Sequence, residues 1–469
     1  TPDVSSAASD VYKRQAILNR TTKQWQEIDS AHHLHPFTDY KSLAEEGSII
    51  ISKADGVHLT NSDGKQLLDA MSGLWCVNIG YGRKSMADVA YQQMQELPYY
   101  NSFFKTANVP SIELSRQLAE ITPQDLNYAF FSSSGSEAND TVVRMIKRFW
   151  DLKNQPTKKT FISREYAYHG STMIGVSLGG MTGMHDQGGL LPGFSHIMPP
   201  YWYKYGEDMS HQEFGLYAAN KLEERILELG AENIAAFIGE PIQGAGGVII
   251  PPDNYWPRIQ EICKKYDILL VVDEVICGFG RTGNWFGSDT YNIKPDIITM
   301  AKGISSGYIP LSGIMVGSRV SDVMINEGGE FYHGYTYSGH PVACAVAIEN
   351  LKIIKEENLI EHSAKTSIYL NERMQEIAEH PLVGEVRMKS LIGAVELVED
   401  KSSRKMFEDT GSVGTICRDY CIQNGLVMRA VRDGMIFCPP LIFTNENVDE
   451  LVDKLKKSLD QTHSHISKS

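Results

Sequence analysis

The sequence predicts an α/β fold: a large domain on a mostly parallel sheet covered by helices, with a small α+β domain built from both chain ends. Three observations carry that reading. In mid-chain, apolar runs end abruptly in polar or charged residues: Ile234-Ala235-Ala236-Phe237-Ile238 leads into Gly239-Glu240-Pro241, Ile268-Leu269-Leu270-Val271-Val272 into Asp273-Glu274, and Ile297-Ile298-Thr299-Met300-Ala301 into Lys302-Gly303. Such runs suit parallel strands covered on both faces. Each follows a helical pattern, as at Tyr255–Lys265, and repeated helix-then-strand units imply right-handed crossovers. The chain ends, by contrast, show short strands and Asp-Gly turns.

In chain order, residues 49–70 hold Ile49-Ile50-Ile51, Asp55-Gly56, Val57-His58-Leu59 and Asp63-Gly64, the pattern of short antiparallel strands joined by Asp-Gly turns. A strand is expected over 128–131, then a helix with the apolar stripe Val142, Met145, Ile146 and Phe149. Thr160-Phe161-Ile162-Ser163 reads as a further strand, followed by a loop with Tyr168-His169-Gly170-Ser171. After the three apolar strands comes a long helix over 342–355, more helix, strands over 391–397 and 435–438, and a closing helix over 446–460. The expected division is 16–70 and 336–469 in the small domain and 71–335 in the large one. Residues 1–15, polar and starting without Met, read as a tag or disordered start.

The 469 residues carry 44 Lys and Arg against 58 Asp and Glu, a net charge of −14. That balance argues against a nucleic-acid surface, which needs clustered cations to displace counterions. With 42% hydrophobic and 22% charged residues the chain is an ordinary globular one. No apolar run approaches the roughly 18 residues of a membrane span. The seven cysteines include no CxxC pair, an inventory expected of a reducing, cytoplasmic compartment. Cys417 and Cys421 share a helix face and read as small buried residues; no metal is assigned.

Ligands of open α/β sheets bind at the carboxyl ends of the strands, where Glu240, Asp273 and Lys302 meet. A lysine at that rim can form a Schiff base, although alone it reads as a solvated strand-end residue. Asp273, ending a buried strand, must be paired. A protonated pyridine nitrogen is a suitable partner, and a Schiff-base lysine with an aspartate on the pyridinium is how proteins hold pyridoxal phosphate. Ser132-Ser133-Ser134-Gly135-Ser136-Glu137 offers free N–H groups to a phosphate at a helix start, or equally an ordinary serine cap. Tyr168 can lie flat on the pyridine, or Tyr168-His169 can be a surface pair.

These residues resemble the class III, fold type I, pyridoxal-phosphate-dependent aminotransferases over about residues 20–460. The motifs are Gly73-Leu74-Trp75-Cys76, Ser134-Gly135-Ser136-Glu137, Tyr168-His169-Gly170-Ser171, Glu240-Pro241-Ile242-Gln243-Gly244, Asp273-Glu274-Val275, Ala301-Lys302-Gly303 and Thr336-Tyr337-Ser338-Gly339-His340-Pro341. Within the family the chain looks most like omega-transaminases that pair putrescine or other polyamines with pyruvate, through His32-His33-Leu34, Pro36-Phe37, Asp39-Tyr40-Lys41 and the stretch His380-Pro381-Leu382-Val383-Gly384-Glu385-Val386-Arg387.

The resemblance implies the following roles. Lys302 binds the cofactor covalently and moves the proton, and Asp273 partners the ring nitrogen. Tyr168 and Val275 cover the two ring faces. Ser134, Gly135 and Ser136 cup the phosphate, and His169 and Glu240 belong to the cofactor site. Thr336 is donated to the phosphate by a neighbouring subunit, so a homodimer or dimer of dimers is expected. Trp75, Phe103 and Tyr168 line the substrate pocket, and Arg429 grips a carboxylate. Three positions depart from the family pattern: Ala245 stands where many members have Glu, Ile276 where many have Gln, and Met388-Lys389-Ser390 replaces a Gly-rich stretch. The implied activity is ping-pong transfer from a primary amine to pyruvate, giving an aldehyde and alanine. A beta-alanine or omega-amino acid–pyruvate transaminase is the alternative, and an aminomutase or decarboxylase would use the same cofactor residues.

Overall fold

The computed structural model describes residues 20–123 and 125–468; the expected tag or disordered start at 1–15 lies outside them. Near the start, β1 (Ile51–Asp55), β2 (His58–Asn61) and β3 (Gln66–Asp69) pair antiparallel. Their turns use Gly56 (φ +56°) and Gly64 (φ +80°), a left-handed conformation that favours glycine.

The central sheet contains β4 (Leu126–Ser132), β5 (Thr160–Arg164), β6 (Phe194–Ile197), β7 (Ile234–Gly239), β8 (Leu269–Asp273), β9 (Ile297–Met300) and β10 (Ser312–Gly317). Its order is β4-β10-β9-β8-β7-β5-β6. Only β10 runs against its neighbours, pairing antiparallel with both β9 and β4. The sequence reading does not contain this strand, because its apolar stretch, Ile314-Met315-Val316, is short and set between glycines.

Both faces of the central strands β7, β8 and β9 are covered, which is why these strands are buried at every position and apolar along almost their whole length. In β8, Leu269 and Val271 pack into the cluster holding Val142, Ile146 and Phe149 of helix Gly135–Leu152. Leu270 and Val272 face the other way, towards Trp256, Ile259 and Ile262 of helix Tyr255–Lys265. Burying side chains of this size contributes roughly 1.5–3 kcal/mol each. Because β7, β8 and β9 are neighbours about 4.8 Å apart, Glu240, Asp273 and Lys302 emerge side by side.

The chain end adds β11 (Val383–Lys389), β12 (Ile392–Leu397), β13 (Leu426–Val427), β14 (Arg429–Val431) and β15 (Gly434–Phe437). β13 lies parallel to β3, joining the two chain ends in one sheet. A separate sheet has the order β11-β12-β15-β14. Met388-Lys389-Ser390 closes the β11–β12 hairpin, with Lys389 opposite Ile392 and Ser390 in the left-handed region (φ +52°), so serine fills the place a glycine would favour. Helix Pro341–Glu356 packs on helices Lys84–Glu96 and Val109–Ile121. The closing helix runs Asn445–Ile466, longer than the 446–460 expected, because Thr444 and Asn447 form a capping box and Thr462 is buried beyond position 460. Among the described residues, no helix is long and apolar enough to cross a membrane.

Candidate active site

A cavity of about 200 Å³ opens at the carboxyl ends of β7, β8 and β9. Ser134, Gly135, Ser136, Tyr168, His169, Glu240, Asp273, Val275 and Lys302 all line it, with Asn139, Gly170 and Ile276. Lys302 follows β9 in the left-handed region (φ +49°), where the chain breaks from the strand into a short 3-10 turn. The buried Asn350 holds that turn: its Nδ2 donates to Gly303 O at 2.9 Å and Ile304 O at 3.0 Å, and its Oδ1 lies 2.6 Å from Ser306 Oγ.

Asp273 is paired from within the protein. Its Oδ2 accepts from His169 Nδ1 at 2.7 Å and from Asn139 Nδ2 at 3.0 Å, and its Oδ1 from Val275 N at 3.1 Å. Burial by itself would raise its pKa, but the His169 contact, aided by Asn139 and Val275 N, holds the carboxyl below its ordinary value. Asp273 is therefore an anion at the cavity wall. Tyr168-His169 is no surface pair: His169 is buried, and Asn139 Nδ2 also fixes its carbonyl at 2.8 Å.

Glu240 organises the loops. Its Oε1 accepts from Tyr168 N at 3.2 Å and its Oε2 from Gly244 N at 2.8 Å, while burial raises its pKa. The guanidinium of the buried Arg164 donates to the Glu240 carbonyl at 2.5 Å. Tyr168 is half-buried, its hydroxyl 2.9 Å from Ser171 Oγ.

Both readings of the Ser-Gly run hold at once. Ser134 Oγ caps helix Gly135–Leu152 by accepting from Glu137 N at 3.3 Å, and Glu137 Oε2 accepts from Ser133 N at 2.7 Å. The same turn lines the cavity and points the first-turn N–H groups and the positive end of the helix dipole into it. Ser136 Oγ accepts from Ser171 N at 3.0 Å, tying the run to the Tyr168 loop. A Cβ on Gly135 would stand 3.3 Å from Val275 Cγ2, so a side chain there would narrow the cradle.

The remaining expected residues are not among those lining this cavity. Trp75 is buried (2% exposed) in a kinked turn (φ +66°) and packs in the cluster with Ile242, Val248 and the cavity-lining Ile276. Phe103 lines a second, open hollow of about 420 Å³ with Phe104, Phe331 and Gly334. Thr336 is exposed in the same stretch, its carbonyl accepting from Tyr99 Oη at 2.8 Å. Arg429 opens β14, one residue after β13 leaves the other sheet. Burial pulls its guanidinium below the usual value, and the one titratable group countering this is Tyr168. Ala245 is buried and Ile276 lines the cavity with no polar atom to offer.

Asn139, Arg164 and Asn350 were not singled out from the sequence. The available signal for Asn139 is a polar residue on the buried stripe of an amphipathic helix, four positions after Gly135. Arg164 and Asn350 give none, since what they bind, backbone carbonyls and for Asn350 also the Ser306 hydroxyl, is supplied by segments far along the chain.

Residues 41–459 match the class-III aminotransferase family. The chain is 56% identical over 448 residues, 95% of it and 98% of the relative, to a putrescine--pyruvate aminotransferase of Pseudomonas aeruginosa. It is 42% identical over 441 residues, 92% of it and 85% of the relative, to gamma aminobutyrate transaminase 1, mitochondrial, of Solanum lycopersicum. Among solved structures it resembles the omega transaminase from Pseudomonas jessenii in complex with PMP, with a TM-score of 0.93 and 43% identity over 94% of this chain and 99% of that one.

Proposed function

From the premise that this chain belongs to the class III aminotransferases, which use pyridoxal phosphate, we propose that it moves the amino group of a primary amine, putrescine or a related diamine, to pyruvate. The products are an aldehyde and alanine. The observation that carries this reading is Arg429: a half-buried guanidinium beside Tyr168, with no carboxylate acting on it among the described residues. A cation left in that state is matched to a carboxylate that arrives with one substrate and is missing from the other. A guanidinium fork binds such a carboxylate bidentately. The likeness to the putrescine--pyruvate aminotransferase supports the choice of amine.

The cavity fits pyridoxal phosphate on three counts. Asp273 is an anion that a protonated ring nitrogen would neutralise. Among the described residues, His169 Nε2 and Asn139 Oδ1 are buried without hydrogen-bond partners. The Gly135–Ser136 turn presents N–H groups to a phosphate. The chemistry the cofactor supplies when bound is an electron sink for the pair released at the carbon bearing the substrate's amine.

Within that frame Lys302, at the cavity wall, would hold the cofactor covalently through Nζ, and the same Nζ would be the group that moves the proton. Asp273 keeps the ring-nitrogen proton in place, and His169 and Asn139 keep Asp273 ionised and aimed. Tyr168 and Val275, which both line the cavity, would flank the ring. Gly135 and Ser136, with Ser134 capping the helix, hold the phosphate. Arg429 orients pyruvate through its carboxylate and moves aside for an amine, since Ala245 leaves it no carboxylate to rest on.

Phe103 and Thr336 act, in this reading, on the site of a second subunit. The face that carries them exposes Phe104 (89%), Val109 (78%) and Tyr332 (78%), an apolar patch suited to burial in a homodimer. The seven free cysteines support a reducing, cytoplasmic setting.

Incubating the holoenzyme with pyruvate and a donor panel of putrescine, cadaverine, beta-alanine and gamma-aminobutyrate, and quantifying alanine, tests the proposal. Putrescine should lead; faster turnover of the amino acids would transfer the assignment to an omega-amino acid transaminase. Lys302→Ala should abolish alanine formation while leaving the fold intact by circular dichroism.

A further inference from the structure

We infer that Asp29, His33 and His35 form a binding site for a divalent transition-metal ion of the zinc type, on the segment that leads to the mouth of the active-site cavity. Helix Thr22–His32 ends with His33 as its C-cap, whose N–H donates to Asp29 O at 2.9 Å. This places the two side chains one turn apart on the same face. His33 Nδ1 stands 3.0 Å from Asp29 Oδ1. The chain then doubles back, so that His35 Nε2 lies 2.9 Å from both carboxylate oxygens. All three donor groups fall within 4.8 Å of one another, and the imidazole centroids are 4.3 Å apart.

Two imidazoles and a carboxylate are a zinc donor set, and tetrahedral ligands at about 2.0–2.1 Å from the ion stand roughly 3.3 Å apart, close to these separations. As a purely hydrogen-bonded cluster the arrangement sets one N–H of each ring against the carboxylate, His33 through Nδ1 and His35 through Nε2. One divalent ion replaces both protons and draws on the lone pairs of all three residues. The carboxylate is also prepared as a ligand. Ser48 Oγ donates to Asp29 Oδ2 at 2.7 Å, the kind of outer partner that orients metal-binding groups, and Gln26 Nε2 in turn donates to Ser48 O at 2.9 Å. His33 is 62% exposed, which leaves the fourth coordination position open to water. The order of affinities for such ligands puts copper and nickel alongside zinc as competitors.

The site's position gives it a consequence. Two residues past His35, the exposed Phe37 ring meets Tyr168 edge-on at 6.2 Å, and Tyr168 lines the cavity. An ion joining the end of helix Thr22–His32 to His35 shortens the free stretch between them and steadies Phe37 against Tyr168. Zinc should therefore slow tryptic cleavage after the exposed Lys41.

The test is equilibrium dialysis of the tag-free, pyridoxal-phosphate-loaded protein against zinc. Wild type should bind one equivalent that His33→Ala/His35→Ala loses. Changing an outer partner alone costs a metal site about 10–100-fold, so removing two ligands should weaken zinc binding by at least roughly 100-fold. Asp29→Asn, which keeps the shape and the Ser48 contact, should weaken it in the same direction and serves if the double variant fails to fold. Equal zinc binding by wild type and Asp29→Asn, no saturable zinc in wild type, or unchanged cleavage after Lys41 with zinc present would each overturn the inference.

Discussion

Replacing Arg429 with alanine separates the two halves of the reaction. The side chain to be lost is a half-buried cation whose one titratable neighbour of consequence is Tyr168, so no ion pair among the described residues is broken. Its backbone stays in register with Ile436, and an alanine in that strand costs at most about 1 kcal/mol of stability. What would disappear, on the proposed function, is a charge-assisted contact to the pyruvate carboxylate. Leaving a buried charge unpaired costs on the order of 2–5 kcal/mol, which is roughly 30-fold to several thousand-fold in rate or affinity. The amine half-reaction makes no such contact. With the small, buried Ala245 at a position where the resemblance expects Glu, the proposed function has the arginine displaced before a bulky amine enters. That half should change less than about tenfold and speed up for the largest amines. Single-turnover absorbance of each half-reaction, with 1-phenylethylamine and with pyruvate, reads the two effects apart. Equal losses in both would make Arg429 structural and refute the carboxylate assignment.

Asp273→Asn leaves His169 and Asn139 in place but removes the negative charge they orient; turnover at saturating cofactor should fall by orders of magnitude, and a near-normal rate would contradict the pairing with the ring nitrogen. Gly170→Ala places a Cβ 2.7 Å from Ser136 Oγ and 2.8 Å from Ser136 Cα at φ +130°. The resulting strain of roughly 1–3 kcal/mol should displace the Ser136 turn and weaken cofactor binding about 5- to 100-fold, measurable by titrating apoprotein. Glu274, buried beneath the site, is pushed up to about 7 from 4.5 by burial, although Gly287 N, Ser288 N and Ser288 Oγ all donate to it. A carboxyl that holds its proton longer in the folded state loses stability as pH rises from about 4.5 through about 7 and levels off above, here on the order of 3 kcal/mol. Glu274→Gln cannot titrate, so denaturant melts at pH 5 and pH 8 should differ less for the variant than for wild type; parallel slopes would disprove the linkage.

By itself the sequence determined the strand-end chemistry. A strand covered on both faces must be apolar along its length, so its last residue is where polarity first becomes affordable, and Glu240, Asp273 and Lys302 stood out for that reason. Short-range rules also sufficed for the Asp-Gly hairpin near the start, the capped helix at Gly135 and the helix over Tyr255–Lys265, each set by neighbours a few positions away. The lone antiparallel strand β10 escaped because register against β4 and β9 is a non-local choice that three apolar residues cannot announce. Tertiary structure alone decided what the charges meet. Asp273 gets its ionised state from His169, over a hundred positions away in the chain, and from Asn139 on a helix that crosses the sheet. Asn350 steadies the turn after Lys302 from a helix 47 positions beyond Gly303. The same holds for Phe103 and Thr336, which the structure sets outside the cavity that motif order associates them with. A buried polar atom must find its partner wherever the packing brings one, and sequence spacing carries no record of that meeting.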